Sequence, residues 1–363
     1  MTARAAPDAL AREVAEFQRR LARSAATLAA LPPVTLATAP REVVYRDGKV
    51  TLYHYTPAAP THGGPPLLIV FSLVNRPTVL DLQPDRSLIR GLMAAGLDVY
   101  LLDWGYPDRG DRHTTLADYT TGYLHRAVAQ LGERRGPIDV LGVCQGGTLA
   151  LLYASLEPAR IRRLVTMVTP VDFHTPDNLL SKWAQGVDVD RLVDTFGNVP
   201  GELLNAVFVS LMPFRLTLQK YLALIDGADD PRQLENFLRM EQWIYDSPDQ
   251  AGAAFREFVT GYFQENRLAR GTAVLDGRPV DLGRVTMPLL NVYATEDHLV
   301  PPAAARALAG LVGSRGYEEY PFAGGHIGIY VSSRAHVVPA AIGAWLQKGG
   351  ASQPKARARR GAA

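Results

Sequence analysis

The chain has 363 residues, 47% of them hydrophobic and 20% charged, with a formal net charge of +2. That length holds one large α/β domain with an insertion, or two domains, and the composition excludes a disordered chain. The charge is too small to point to a nucleic-acid partner, and a single cysteine rules out an internal disulfide and suits a reducing, cytoplasmic compartment.

The first ten residues contain Asp8 and no apolar core, so a secretory signal is not expected. Residues 1–38 read as an N-terminal helical segment. Leu10, Val14, Phe17, Leu21 and Leu28 recur at helical spacing and make one apolar stripe, which Leu31-Pro32-Pro33 ends. The stripe suits packing on its own domain and docking onto a partner chain equally well. Segments 43–45 and 50–53 flank Asp47-Gly48, a hairpin signal. The apolar run 67–71 suits a buried parallel strand; no apolar stretch is long enough to span a bilayer. A helix is expected over 85–95, a strand over 97–102, a helix over 116–131, and strands over 138–143 and 163–168. This alternation predicts an α/β fold, a mostly parallel sheet with helices on both faces.

From residue 169 to about 285 the strand alternation stops. Helices are expected over 201–209, 216–224, 231–245 and 250–264, and strands resume at 288–293 and 317–320. The expected organisation is an α/β core over 39–169 and 286–348, a helical insertion over 170–285 laid out like a cap or lid, and a basic tail over 349–363. The tail carries Lys355, Arg357, Arg359 and Arg360 and is read as solvated.

The cysteine sits in Gly142-Val143-Cys144-Gln145-Gly146-Gly147, between a strand and a helix. That is the layout of a nucleophile elbow, G-x-S-x-G, with sulfur in place of oxygen, and it predicts an α/β-hydrolase fold. The glycines allow a strained nucleophile and close approach of helix to strand. A thiol there implies acyl transfer through a covalent thioester; the alternative is a buried, inert cysteine. A helix N-terminus favours thiolate, and a histidine base would complete the activation. The chain order nucleophile, acid, histidine selects Asp297, just past the strand at 289–293, and His326 in Gly324-Gly325-His326-Ile327-Gly328. Glu296 is the neighbouring alternative acid, and capping before Pro301 is the ordinary role for Asp297. His298 adjoins Asp297 and is expected to support it. His54, His62, His113, His125, His174 and His336 suit surface or capping roles. The oxyanion hole is expected from the backbone N–H of Gln145 and a second N–H near Val74, in the loop after the early strand. No phosphate-loop motif and no metal-ligand spacing is present in the sequence.

Together these residues resemble the polyhydroxyalkanoate (PHA/PHB) synthases, whose lipase-like box carries cysteine where lipases carry serine. Leu73-Val74-Asn75-Arg76-Pro77, Asp81-Leu82-Gln83, Thr169-Pro170-Val171-Asp172-Phe173 and Asp297-His298-Leu299-Val300-Pro301-Pro302 are similar to the same family. The resemblance runs from about residue 40 to 347, leaving the N-terminal 30 residues and the basic tail outside it. Without the long N-terminal domain of the single-subunit classes, the chain is similar to the catalytic subunit of class III, with class IV open. The resemblance implies an acyltransferase that polymerises (R)-3-hydroxyacyl-CoA, chiefly 3-hydroxybutyryl-CoA, through a Cys144 thioester, with Asp297 and His326 completing the triad. No cofactor is implied, CoA being the leaving group. The implied partners are a second synthase subunit, of the PhaE type or in class IV the PhaR type, and a second copy in a homodimer, at the surface of cytoplasmic polyester granules. Either His326 or Asp297 could serve as the base in elongation. The rival readings are a cysteine hydrolase, such as a thioesterase or dienelactone-hydrolase-like enzyme, and a non-catalytic granule- or partner-binding scaffold.

Overall fold

The computed structural model describes residues 7–56, 64–133, 135–227 and 230–348; His62 and the basic tail at 349–363 lie outside the described residues. Strands β1 (Arg41–Asp47) and β2 (Val50–Tyr55) form the hairpin that Asp47-Gly48 predicts, turning at Gly48 with φ 59°. Strand β3 (Pro66–Val70) is buried along its whole length. A short ribbon of β4 (Asp81–Gln83) and β5 (Arg86–Ser87) follows, then β6 (Asp98–Asp103), β7 (Ile138–Val143) and β8 (Ile161–Met167). A second ribbon, β9 (Val274–Leu275) and β10 (Arg278–Pro279), precedes β11 (Leu289–Ala294) and β12 (Tyr317–Phe322). The main sheet has eight strands in the order β1-β2-β6-β3-β7-β8-β11-β12. Only β1 against β2 and β2 against β6 are antiparallel.

Helices cover both faces, as a buried parallel sheet requires. The alternation along β3 divides the core. Leu68 and Val70 pack with α3 (His125–Gly132) and α4 (Gln145–Leu156) on one face. Leu67 and Ile69 pack on the other with α2 (Leu88–Ala94) and with the last helix, at Val338, Ile342 and Trp345. The N-terminal helix α1 (Pro7–Ala30) keeps its stripe largely in solvent: Val14, Phe17 and Leu21 are 47%, 44% and 47% exposed.

Between β8 and β11 lie α5 (Leu179–Ala184), α6 (Val189–Phe196), α7 (Gly201–Leu211), α8 (Lys220–Asp226), α9 (Pro231–Tyr245) and α10 (Gly252–Phe258). The crossover from β11 to β12 carries α11 (Pro302–Arg306), and α12 (Gly328–Val331) and α13 (Val337–Gln347) follow β12. Arg20 of α1 pairs with Asp226 of α8 at 3.6 Å. Three features depart from the sequence reading. The helices expected over 116–131, 216–224 and 250–264 each contain or begin with a π-helical stretch, Asp118–Leu124, Arg215–Gln219 and Val259–Gln264. Helices α5 and α6 fall where none was expected, each started by a capping side chain: Asn178 accepts from the Ser181 amide and Asp188 from the Arg191 amide. The β9–β10 ribbon interrupts a stretch read as free of strands; it turns at Asp276 and Gly277, with φ 54° and 70°. Among the described residues, no single helix is long and apolar enough to cross a membrane.

Candidate active site

Strand β7 ends at Cys144, whose backbone takes φ 54° and ψ −127°. For a residue with a Cβ this conformation costs about 1–3 kcal/mol, so the surroundings must impose it. They do so from both sides. The Cys144 N–H donates to the Met167 carbonyl on β8 at 2.8 Å, and the Cys144 carbonyl accepts from the Gly147 N–H at 2.9 Å. A Cβ on Gly146 would lie 2.2 Å from the Val70 carbonyl oxygen, and one on Gly147 would lie 1.9 Å from Thr169 Oγ1. The close approach of α4 to β3 and β8 therefore needs glycine at both positions.

Two loops at the same edge of the sheet supply the partners. The loop after β11 carries Asp297, and the loop after β12 carries His326. They are tied together by the Thr295 N–H to the Phe322 carbonyl and the Glu296 N–H to the Gly324 carbonyl, each 2.8 Å. His326 Nδ1 and Asp297 Oδ2 are 2.7 Å apart, with both side chains buried. Asp297 Oδ1 accepts from the N–H groups of Leu299 and Val300, both at 2.9 Å, so the same carboxylate also fulfils the capping role. Glu296 is exposed. His326 and Cys144 line the same cavity, and the Cys144 sulfur is among the groups that act on the imidazole charge. Burial pulls the imidazole pKa down, but the Asp297 carboxylate and the Cys144 sulfur more than offset this and push it up to about 10. His298, half-buried beside Asp297, is pulled below the ordinary histidine value by burial, against the opposing pull of Asp297. A sulfur nucleophile, an imidazole held protonated and a fully bonded carboxylate thus stand in series, as nucleophilic acyl transfer requires.

Gln145 opens α4, where the first amides have no carbonyl within the helix to bond. The expected second oxyanion donor is engaged elsewhere: the Val74 N–H donates to Ser72 Oγ at 3.0 Å. Ser72 Oγ in turn donates to Gln145 Oε1 at 3.2 Å, and the Leu73 N–H donates to the same oxygen at 3.0 Å. In this conformation the Val74 amide is not free, because a serine two residues earlier caps it. This loop is also gripped from the helical segment, by residues the sequence reading did not find. Gln250 Nε2 donates to the Leu73 carbonyl and Trp243 Nε1 to the Arg76 carbonyl, each at 2.7 Å. Asn75 Nδ2 donates to Ser247 Oγ and to Asn205 Oδ1. These partners are far apart in sequence; Ser247 and Gln250 fall in Asp246-Ser247-Pro248-Asp249-Gln250, a segment similar to the polyhydroxyalkanoate synthases, but nothing in it marks them as contacts of this loop.

Cys144 and His326 open onto a cavity of about 450 Å³. Its walls are mostly apolar, among them Phe173, Leu180, Phe208, Phe258 and Phe263. A larger hollow of about 600 Å³, beside Tyr45, Arg126 and Arg160, contains none of these groups. The remaining described histidines have other partners. His54 bonds Asp98 at 2.8 Å and stacks on Tyr100, His113 accepts from Arg112, His125 pairs with Tyr153, His174 reaches the Phe263 carbonyl, and His336 the Ser333 carbonyl.

Comparison with known proteins follows the same lines. Residues 65–332 match the family described as alpha/beta hydrolase fold, and residues 9–92 match poly-beta-hydroxybutyrate polymerase (PhaC) N-terminus. The second match corrects the expectation that the N-terminal 30 residues stand outside the resemblance. The chain is 52% identical to the poly(3-hydroxyalkanoate) polymerase subunit PhaC of Allochromatium vinosum, over 94% of this chain and 98% of that protein. It is 51% identical to the protein of the same name in Thiocystis violacea, again over 94% and 98%. Among solved structures, a thermophilic esterase from Thermogutta terrifontis aligns with a TM-score of 0.51 at 17% identity, covering 85% of this chain and 99% of that one, a likeness of fold alone.

Proposed function

The chain belongs to the poly(3-hydroxyalkanoate) polymerase family, and from that premise we propose that it polymerises (R)-3-hydroxyacyl-CoA, chiefly the 3-hydroxybutyryl thioester, with Cys144 as the nucleophile. The observation that carries this reading is the series Cys144, His326 and Asp297 at the mouth of an apolar cavity, with the cysteine held in a positive-φ turn.

In the first half-reaction the Cys144 proton resides on His326, as the raised imidazole pKa favours, and the thiolate attacks the thioester carbonyl carbon. The bond from that carbon to the CoA sulfur breaks, and the leaving CoA takes the proton from His326. The acyl group remains on Sγ. Exchange of one thioester for another is nearly balanced in energy, which suits a sulfur nucleophile. The oxyanion is expected to rest on the Gln145 N–H and on a second amide, near Val74, once Ser72 turns away. In the second half-reaction a 3-hydroxyl gives its proton to a base, its oxygen attacks the acyl carbon, and the carbon–sulfur bond breaks. The surroundings favour His326 as that base, because both Asp297 oxygens are engaged and its side chain is shut from the cavity. Water must be kept from the acyl-enzyme, and the apolar walls contributed by α5, α7 and α10 support a cap-like role for the helical segment over 170–285.

We assign the chain to the class III type of catalytic subunit, acting as a homodimer with a second subunit of the PhaE type at the surface of cytoplasmic polyester granules. The exposed apolar stripe of α1 supports a docking role for that helix. The test is incubation of the purified chain with 3-hydroxybutyryl-CoA, with and without the second subunit, following free CoA and insoluble polyester. Polyester is the expected product; free 3-hydroxybutyrate in its place would make the protein a hydrolase, and CoA release by Cys144→Ala at the parent rate would refute the nucleophile.

A further inference from the structure

Tyr330 stands on α12, four residues after His326, and lines the same cavity as Cys144. Its ring meets the His326 imidazole edge to face, with centroids 6.4 Å apart. The side chain is 2% exposed, and its hydroxyl oxygen has no hydrogen-bond partner among the described residues. A buried hydroxyl in that state destabilises the fold and calls for an explanation. Four of the other polar side chains of the cavity wall are already engaged. Ser72 bonds Gln145, Asn75 bonds Ser247, Asn178 accepts from the Ser181 amide, and Gln250 holds the Leu73 carbonyl. Burial, with the nearby Cys144 and Asp297 charges, holds the Tyr330 pKa well above the ordinary phenol value. It is therefore a neutral O–H donor and not a base.

We propose that Tyr330 recognises the 3-oxygen of the acyl unit carried on Cys144, its O–H donating to that oxygen, and thereby favours 3-hydroxyacyl over plain acyl thioesters. The inference rests on the polymerase reading of this site. A 3-oxygen brought between Phe173, Phe208, Phe258 and Phe263 leaves water behind and is costly without a partner. That oxygen is a few bonds from the sulfur, in the cavity that Tyr330 and Cys144 both line and where Tyr330 packs against His326. Two groups that are each unsatisfied alone satisfy one another. The oxygen is the same atom whether it is a free hydroxyl, before elongation, or an ester oxygen in the grown chain, so one donor serves both states. Tyr330 makes and breaks no bond; it orients the acyl unit and selects it.

The experiment uses the full chain and its Tyr330→Phe variant with two substrates, 3-hydroxybutyryl-CoA and butyryl-CoA, which lacks the 3-oxygen. Acylation of Cys144 is read as the burst of free CoA and as the mass increase of the intact protein. The ratio of kcat/KM for the hydroxylated over the plain substrate is expected to fall about tenfold in the variant, roughly the value of one hydrogen bond in a buried site. The melting temperature is expected to stay level or rise, because the substitution removes an unpartnered hydroxyl. A ratio that does not move overturns the assignment, as does an equal loss on both substrates together with a lowered melting temperature, the mark of a structural tyrosine. If the parent protein takes no acyl group from 3-hydroxybutyryl-CoA at Cys144, the polymerase reading itself fails; if it is acylated and the ratio is unmoved, the role of Tyr330 alone fails.

Discussion

The turn that carries Cys144 and the helical segment that walls its cavity are held by different means. The turn is a backbone device. Its conformation is fixed by amide–carbonyl bonds from Cys144 to Met167 and Gly147 and by two positions, Gly146 and Gly147, that leave no room for a Cβ. The segment between β8 and β11 leans more on side chains: Trp243 and Gln250 hold loop carbonyls of the core, beside a backbone bond from the Ala254 N–H to the Thr114 carbonyl, and inside the segment Asn266 accepts from the Phe173 amide and His174 bonds the Phe263 carbonyl. It also leaves large apolar groups in solvent, with Phe196 and Phe214 52% and 76% exposed. Backbone packing of the first kind has few alternatives. Side-chain fastening of the second kind is a sum of small bonds, each lost without the others. The reacting atoms are thus set in an all-or-none frame, and the cavity around them in a graded one.

The largest effects belong to the first region. Cys144→Ala is expected to lower CoA release from 3-hydroxybutyryl-CoA by at least ~10⁴-fold, by analogy with loss of a nucleophile elsewhere. Asp297→Asn retains the thiol and is expected to lower it by about 10²–10⁴-fold, because the imidazole loses its charged partner. The same variant sharpens the electrostatic argument. The His326 pKa is raised from 6.5 to about 10 in the fold. Below 6.5 both folded and unfolded chains hold the proton; between 6.5 and about 10 only the folded chain does, so stability from this pair falls as pH rises through that window. The melting temperature of the parent should therefore decline from pH 6.5 to 10, and less steeply in Asp297→Asn. Equal slopes in the two proteins would mean that the pairing contributes nothing.

The same contrast governs what the sequence could reveal. The elbow was legible because its glycines, its cysteine and the strand before it are contiguous, and because Asp297 and His326 occupy short loops directly after strands. Helix α9 was legible to the residue, since Asp230 and Pro231 cap and open it. The π-helical stretches are indistinguishable from ordinary helix in the sequence because one extra residue per turn hardly disturbs an apolar stripe. Helices α5 and α6 and the β9–β10 ribbon did carry local signals, in Asn178, Asp188 and Asp276-Gly277, but each element is too short for periodicity to reinforce them. The grip of Gln250 on Leu73 joins residues 177 positions apart through one side chain and one carbonyl, and no periodic pattern encodes such a bond. The capture of the Val74 amide by Ser72 was hidden for a different reason: it depends on one rotamer.

Gln250 tests the graded region. Its side chain is buried and bonds the Leu73 carbonyl at 2.7 Å, one residue from the expected oxyanion amide. Gln250→Leu keeps the bulk and leaves that carbonyl unsatisfied, which costs about 1–3 kcal/mol. The expected outcome is a fall in kcat of about tenfold with a smaller change in KM, since the loop amides matter most when the oxyanion forms. A loss as large as that of Cys144→Ala would erase the distinction between the two regions.

The smallest effect is expected where the regions meet, at Ser72. Its hydroxyl accepts from the Val74 amide at 3.0 Å and donates to Gln145 Oε1 at 3.2 Å. Ser72→Ala removes both bonds and is expected to lower stability by about 1 kcal/mol, measured by denaturant unfolding. It also frees the Val74 N–H. If that amide is the second oxyanion donor, turning Ser72 away is part of the parent's cycle, and the variant no longer has to do so. Acylation of Cys144 should then hold or rise, by no more than about threefold, while stability falls. Gln145 keeps its bond from the Leu73 amide at 3.0 Å, so the start of α4 should not shift. A tenfold loss of acylation in Ser72→Ala would instead mean that the serine hydroxyl is itself needed at the oxyanion, and Val74 would lose its assigned place.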